Sequence, residues 1–172
     1  MMTRMMYTPG NRWKFRRILI TRGITRSSFT ALLLIASILI AAPNASAKYA
    51  SIVVDAKTGE INWTRSYPSK THKTHRFNSF ASSSPALDGK NVYSVWGHPT
   101  ELKVCAHTHE GKLLWEKDLG GVKGGHGFAV SPIVFEDLLI VPNDQEKGGG
   151  AHYALDCLTG EIRWKVPRAS KR

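Results

Sequence analysis

Seven histidines are the side chains of this sequence best suited to metal or acid–base chemistry, and two of them, His107 and His109, stand two apart. On a strand that spacing places both rings on one face. A neighbouring carboxylate such as Glu110 would then complete a set of nitrogen and oxygen donors for a divalent metal. The plainer reading makes both of them exposed turn residues, and it is the one we expect. His72, His75, His98, His126 and His152 are scattered and form no motif. Cys105 and Cys157 are too few for a disulfide framework and are expected to be unpaired thiols, one in a strand and one in a turn. The glycine-rich stretch from Gly120 to Phe128 leads into a strand, so it lacks the helix N-terminus that cradles phosphate and is expected to be a connection. The basic stretch from Thr71 to Phe77 reads as a solvated loop. No residue qualifies from its neighbours as catalytic or cofactor-binding.

The charge points to targeting more than to a binding partner. The chain is 172 residues long with a net charge of +11, but Arg4, Arg12, Lys14, Arg16, Arg17, Arg22 and Arg26 all precede residue 29 and no acid accompanies them. Beyond residue 47 the balance is 17 Lys and Arg against 13 Asp and Glu, a net of +4. That excess is too small to argue for nucleic acid. Phe29 to Ala42 is an apolar run, followed by Ala45-Ser46-Ala47. A basic start, an apolar centre and an A-x-A site form a secretory signal peptide spanning 1–47, expected to be a helix cleaved after Ala47. An uncleaved anchor through 29–42 is the competing reading, although the run is short against the roughly 20 residues of a membrane span. Either way the remainder is exported, to the periplasm or beyond, and any membrane contact is through that segment.

The elements that must position everything else are repeats. Val54–Thr64, Ala106–Glu116 and Leu155–Lys165 align, with glycines at Gly59, Gly111 and Gly160 and a tryptophan four residues after each, at Trp63, Trp115 and Trp164. Ser84-Pro85 recurs as Ser131-Pro132. Ile61 and Trp63 alternate, as do Leu113 and Trp115, and then Ile162, Trp164 and Val166, which is the period of a half-buried strand. In the DAKTG and DCLTG turns, Asp55 and Asp156 cap the turn through backbone N–H groups, and the glycine supplies a positive φ. The middle copy differs: His107 takes the place of the aspartates, and Glu110 that of Thr58 and Thr159. Each unit therefore holds about four short antiparallel strands, the size of a propeller blade.

The pattern D-x-x-T-G-x-x-x-W resembles the repeat of PQQ-type β-propellers. That family includes quinoprotein alcohol dehydrogenases and the non-catalytic propeller of the bacterial outer-membrane assembly machinery. Stretches such as SSPALDGKNVYSVWG and ALDCLTGEIRWKVPR are similar to large exported propellers of planctomycete-type bacteria. The resemblance implies an all-β fold of about two and a half four-stranded blades over 48–168, behind the signal helix and before a short tail, 169–172. It also implies that Trp63, Trp115 and Trp164 dock on the glycine turns of adjacent blades at Gly59, Gly111 and Gly160. A PQQ enzyme of this kind uses a catalytic aspartate, a calcium site and an adjacent cysteine pair, and this sequence has no Cys-Cys dipeptide. The expectation is a non-catalytic scaffold without cofactor or metal, whose partners are other blades or proteins. It is further expected to be a fragment of a larger propeller, or a part of one that assembles with other chains. The alternative is part of a PQQ- or metal-dependent oxidoreductase.

Overall fold

The computed structural model describes residues 33–40 (as backbone), 48–73, 75–77, 80, 82–146 and 148–168. Through them run strands β1 (Leu33–Ile40), β2 (Lys48–Asp55), β3 (Ile61–Pro68), β4 (Ala86–Leu87), β5 (Asn91–His98), β6 (Glu101–Thr108), β7 (Leu113–Asp118), β8 (Ile133–Phe135), β9 (Leu138–Asn143), β10 (Gly150–Asp156) and β11 (Ile162–Arg168). They pair antiparallel in chain order into three sheets, β1-β2-β3, β4-β5-β6-β7 and β8-β9-β10-β11. The all-β partial propeller is thus two four-stranded blades and one three-stranded blade.

The signal helix is corrected over part of its length. Leu33–Ile40 is a strand, paired with β2 from Leu33↔Asp55 to Ile40↔Lys48. Without it the outer backbone groups of β2 would be left unpaired along a sheet edge, and a run of Leu and Ile suits an extended backbone. In sheet order β1 stands where β5 and β9 stand in the other two blades. The rest of the expected signal peptide, its cleavage point and the tail at 169–172 lie outside the described residues.

Local chemistry accounts for the hairpins. Asp55 Oδ1 accepts hydrogen bonds from the N–H groups of Lys57 and Thr58 at 2.7 and 2.9 Å, and Asp156 Oδ1 does the same for Leu158 and Thr159 at 2.9 Å each. These N–H groups hold both carboxyls below their ordinary range. The middle turn is one residue tighter. The Thr108 N–H donates to the Lys112 carbonyl as that of Asp55 does to Glu60 and that of Asp156 to Glu161, and Thr108 Oγ1 accepts from the Glu110 and Lys112 N–H groups at 3.3 Å. Thr108, not His107, is therefore the counterpart of the aspartates. His107 aligns instead with Val54 and Leu155, each paired with the first residue of its outer strand.

A second correction concerns the alternation. In all three blades the register slips between the partners of the tryptophan and of the residue two before it: Val53↔Trp63 but Val54↔Ile61, Ala106↔Trp115 but His107↔Leu113, Ala154↔Trp164 but Leu155↔Ile162. The bulge puts two residues opposite one, so Ile61 and Trp63 fall on opposite faces. Ile61 is 59% exposed while Trp63 is 8% exposed.

The core lies between sheets. The middle blade is covered on both faces: Tyr93, Val95, Leu102, Val104 and Ala106 pack with Leu139, Val141 and Tyr153 of the third sheet, while Val92 and Trp96 turn to Val53 and Tyr49 of the first. This explains why β5 and β6 are buried almost throughout and β11 is exposed along its length. Amide hydrogen exchange should follow the same order, slowest in β5 and β6 and fastest in β11. Exchange in β11 as slow as in β6 would contradict this arrangement.

Candidate functional site

The feature the repeat builds is a docking seam between neighbouring blades. The bulge aims each outer-strand tryptophan at the glycine turn of the next blade. Trp63 lies against Gly111, where a Cβ would sit 2.7 Å from its ring carbons. Its Nε1 donates to the His109 carbonyl at 2.7 Å, and Arg65 Nε donates to the Gly111 carbonyl at 2.8 Å. Trp115 repeats the contact on Gly160, where a Cβ would sit 2.6 Å from Cδ2, and its Nε1 donates to the Cys157 carbonyl at 3.0 Å. Only glycine tolerates both that approach and the positive φ of these turns, +84° and +72°. The indole buries its large apolar face, and its one polar atom finds a partner.

Two of the three expected dockings are therefore made within the chain, and both run from one blade to the following one. Trp164 is 38% exposed against 8% and 9% for its counterparts, and no described residue supplies a turn beneath it. Among the described residues no tryptophan lies on the turn of Gly59, and a Cβ there would have no neighbour within 4 Å.

The two seams differ chemically. Between the second and third sheets the contact is mostly apolar, with Tyr153 Oη donating to the Leu119 carbonyl at 3.3 Å. Between the first and second it is mixed: Ser51 Oγ donates to Ser94 Oγ at 3.0 Å, Tyr49 Oη to the Gly97 carbonyl at 3.2 Å, and Tyr67 Oη lies 2.5 Å from His107 Nε2. The expectation of an exposed turn histidine is corrected for His107, which is 0% exposed at the end of β6. Desolvation, with the Arg65 charge adding to it, pushes its pKa down to about 4, while desolvation raises that of Tyr67. Both are neutral at pH 7, and they share a single hydrogen bond. His109 does lie in the turn, its Nε2 3.2 Å from the Asp88 carbonyl. The tightened turn separates the environments of the two rings, His107 inside the seam and His109 at its rim.

The remaining candidates stay structural. Cys105, in β6, and Cys157, in the turn after β10, are buried free thiols. Burial raises both, Cys105 to about 12, which keeps it a poor nucleophile at neutral pH. In the glycine-rich stretch, the Gly125 N–H donates to Glu146 Oε2 at 2.9 Å and Lys123 N–H to Gln145 Oε1 at 2.9 Å, so side chains of the β9–β10 loop occupy the backbone donors. It is a blade-to-blade connection. Among the described residues no three His, Cys, Asp or Glu converge as a metal-binding group. Among the described residues Asp55 and Asp156 are committed to their turns, Asp88 to Tyr93, and the thiols lie in different seams, so these donors do not fit a quinone–calcium centre.

Comparison with known proteins agrees with the propeller fold. A family model described as outer membrane protein assembly factor BamB matches residues 50–172. The chain belongs to this PQQ-type propeller repeat family. Among solved structures it is similar to a europium-containing methanol dehydrogenase, with a TM-score of 0.53 and 15% identity over 81% of this chain and 27% of that one. It is also similar to the quinohemoprotein alcohol dehydrogenase of Comamonas testosteroni, with a TM-score of 0.52 and 24% identity over 77% of this chain and 19% of that one. These likenesses carry the propeller fold, and the chain spans about a quarter or less of each. No curated protein sequence matches it.

Two outcomes follow from the seam. In urea unfolding of dilute protein, Trp115→Ala should cost about 3–5 kcal/mol, as for a buried aromatic, and Trp164→Ala less than about 1 kcal/mol, as for a surface change. Equal losses would show that the exposed and docked positions do not differ. For His107 the folded pKa lies below the unfolded value, so the unfolded state takes up the proton first as pH falls. Stability should be fully present above pH about 6.5 and drop by up to about 3 kcal/mol toward pH 4. His107→Leu, which copies Leu155, should flatten that slope; an unchanged slope would remove His107 as its source.

Proposed function

We propose that this chain is a non-catalytic, exported PQQ-like propeller segment whose work is to present a protein-interaction or scaffold surface, as part of a larger propeller. The observation that carries the reading is the unused half of the seam. Trp164 and Val166, on one face of β11, are both exposed, an apolar pair of the kind that marks an interaction site on a soluble protein. Export is supported by the basic start, the A-x-A site and the family's outer-membrane assembly description. The chain has no activity of its own in this reading, in which Asp55, Asp88 and Asp156 serve turns and the two cysteines serve packing.

The other class, part of a PQQ- or metal-dependent oxidoreductase, draws on the quinoprotein dehydrogenases among the solved structures. Titration of the purified protein with PQQ and calcium separates the two. A non-catalytic segment leaves the quinone absorbance unchanged. A saturable spectral change, with dye reduction on adding an alcohol, would establish the oxidoreductase reading instead.

A further inference from the structure

Among the described residues one repeat tryptophan, Trp164, and one repeat glycine turn, that of Gly59, are unmatched, and they are the two halves of the same contact. Trp164 occupies in β11 the position of Trp63 in β3 and Trp115 in β7, after the same bulge and opposite Ala154 as Trp115 is opposite Ala106. The Gly59 turn is a copy of the Gly160 turn that receives Trp115. Both close with a glycine N–H to aspartate carbonyl bond of 2.8 Å, both are capped by the aspartate carboxylate, and φ is +77° and +72°. Cys157, whose carbonyl accepts from Trp115, follows Asp156 as Ala56 follows Asp55. Among the described residues nothing covers Gly59, where a Cβ meets no neighbour within 4 Å.

We propose that a second copy of this chain occupies these surfaces: Trp164 of each copy lies on the Gly59 turn of the other, with its Nε1 donating to the Ala56 carbonyl. The interface continues the two seams already formed within the chain, with the same residue types in the same order. A head-to-tail contact of this kind yields either a closed ring or an open filament, depending on its rotation. Two copies bring together six sheets, within the about four to eight blades of closed propellers, so the two-copy ring is the assembly to expect. The exposed faces of β11 would be covered in it. The inference rests on the reading of the chain as a propeller segment with open seams, but the two fail separately: quinone binding tests that reading, and mass tests this one.

The experiment is sedimentation of the full chain over a range of concentrations, with two variants. Trp164→Ala removes the indole. Gly59→Asn keeps a residue tolerant of positive φ yet puts a side chain where the indole must lie. The wild type should form a dimer, and each variant should weaken it at least about thirtyfold, as loss of an interface anchor does. Circular dichroism should show both variants folded. Mixing the two variants should restore association, because one copy keeps Trp164 and the other keeps Gly59. A monomeric wild type, a dimer indifferent to Trp164→Ala, a ladder of growing species, or a mixture that fails to associate would each overturn the proposal.

Discussion

The structure depends on one contact, an indole laid flat on a glycine turn. It is directional, because the outer strand of each blade supplies the ring and the hairpin of the following blade supplies the floor. It is also exclusive, since any Cβ at Gly111 or Gly160 would sit inside the ring's van der Waals surface. Blades joined this way behave as a one-dimensional array in which each unit contacts only its neighbours. The array has no internal reason to stop: every blade that gives a tryptophan also offers a turn. The exposure of Trp164 and the vacancy above Gly59 are consequences of that rule.

The same contact is set in two different environments. The seam holding the first sheet contains Ser51, Ser94, Tyr67 and a desolvated His107, whereas the seam holding the third is built from Tyr93, Leu139, Leu155 and Trp115. A buried imidazole that must stay neutral makes the first seam the acid-sensitive one. The first sheet is therefore the unit whose attachment responds to pH, while the second and third sheets form the steadier pair.

Much of this was legible in the sequence, and the failures have specific causes. Gly59, Gly111, Gly160 and their tryptophans stood out because a repeated backbone requirement leaves a repeated residue. Asp55 and Asp156 did so for the same reason. The bulge was invisible, since it inserts no distinctive residue and looks like simple alternation from Ile61 to Trp63. The tightened middle turn hid behind it: aligning by Gly111 assigned His107 to the turn, when pairing puts Thr108 there and His107 in the seam. Strand β1 was misread because a Leu- and Ile-rich run is compatible with a helix or a strand, and only the open edge of β2 decides between them. Which tryptophan meets which turn was likewise beyond reach, because it depends on the order of blades in space.

The measurement that tests the central contact most directly is a double-mutant cycle between Trp115 and Gly160. Trp115→Ala and Gly160→Ala are each made alone and together, and unfolding free energies are compared. If the ring lies on the glycine, the added methyl is costly only while the ring is present, and the coupling should be about 1–3 kcal/mol. Strict additivity of the two changes would contradict the docking contact on which the account stands.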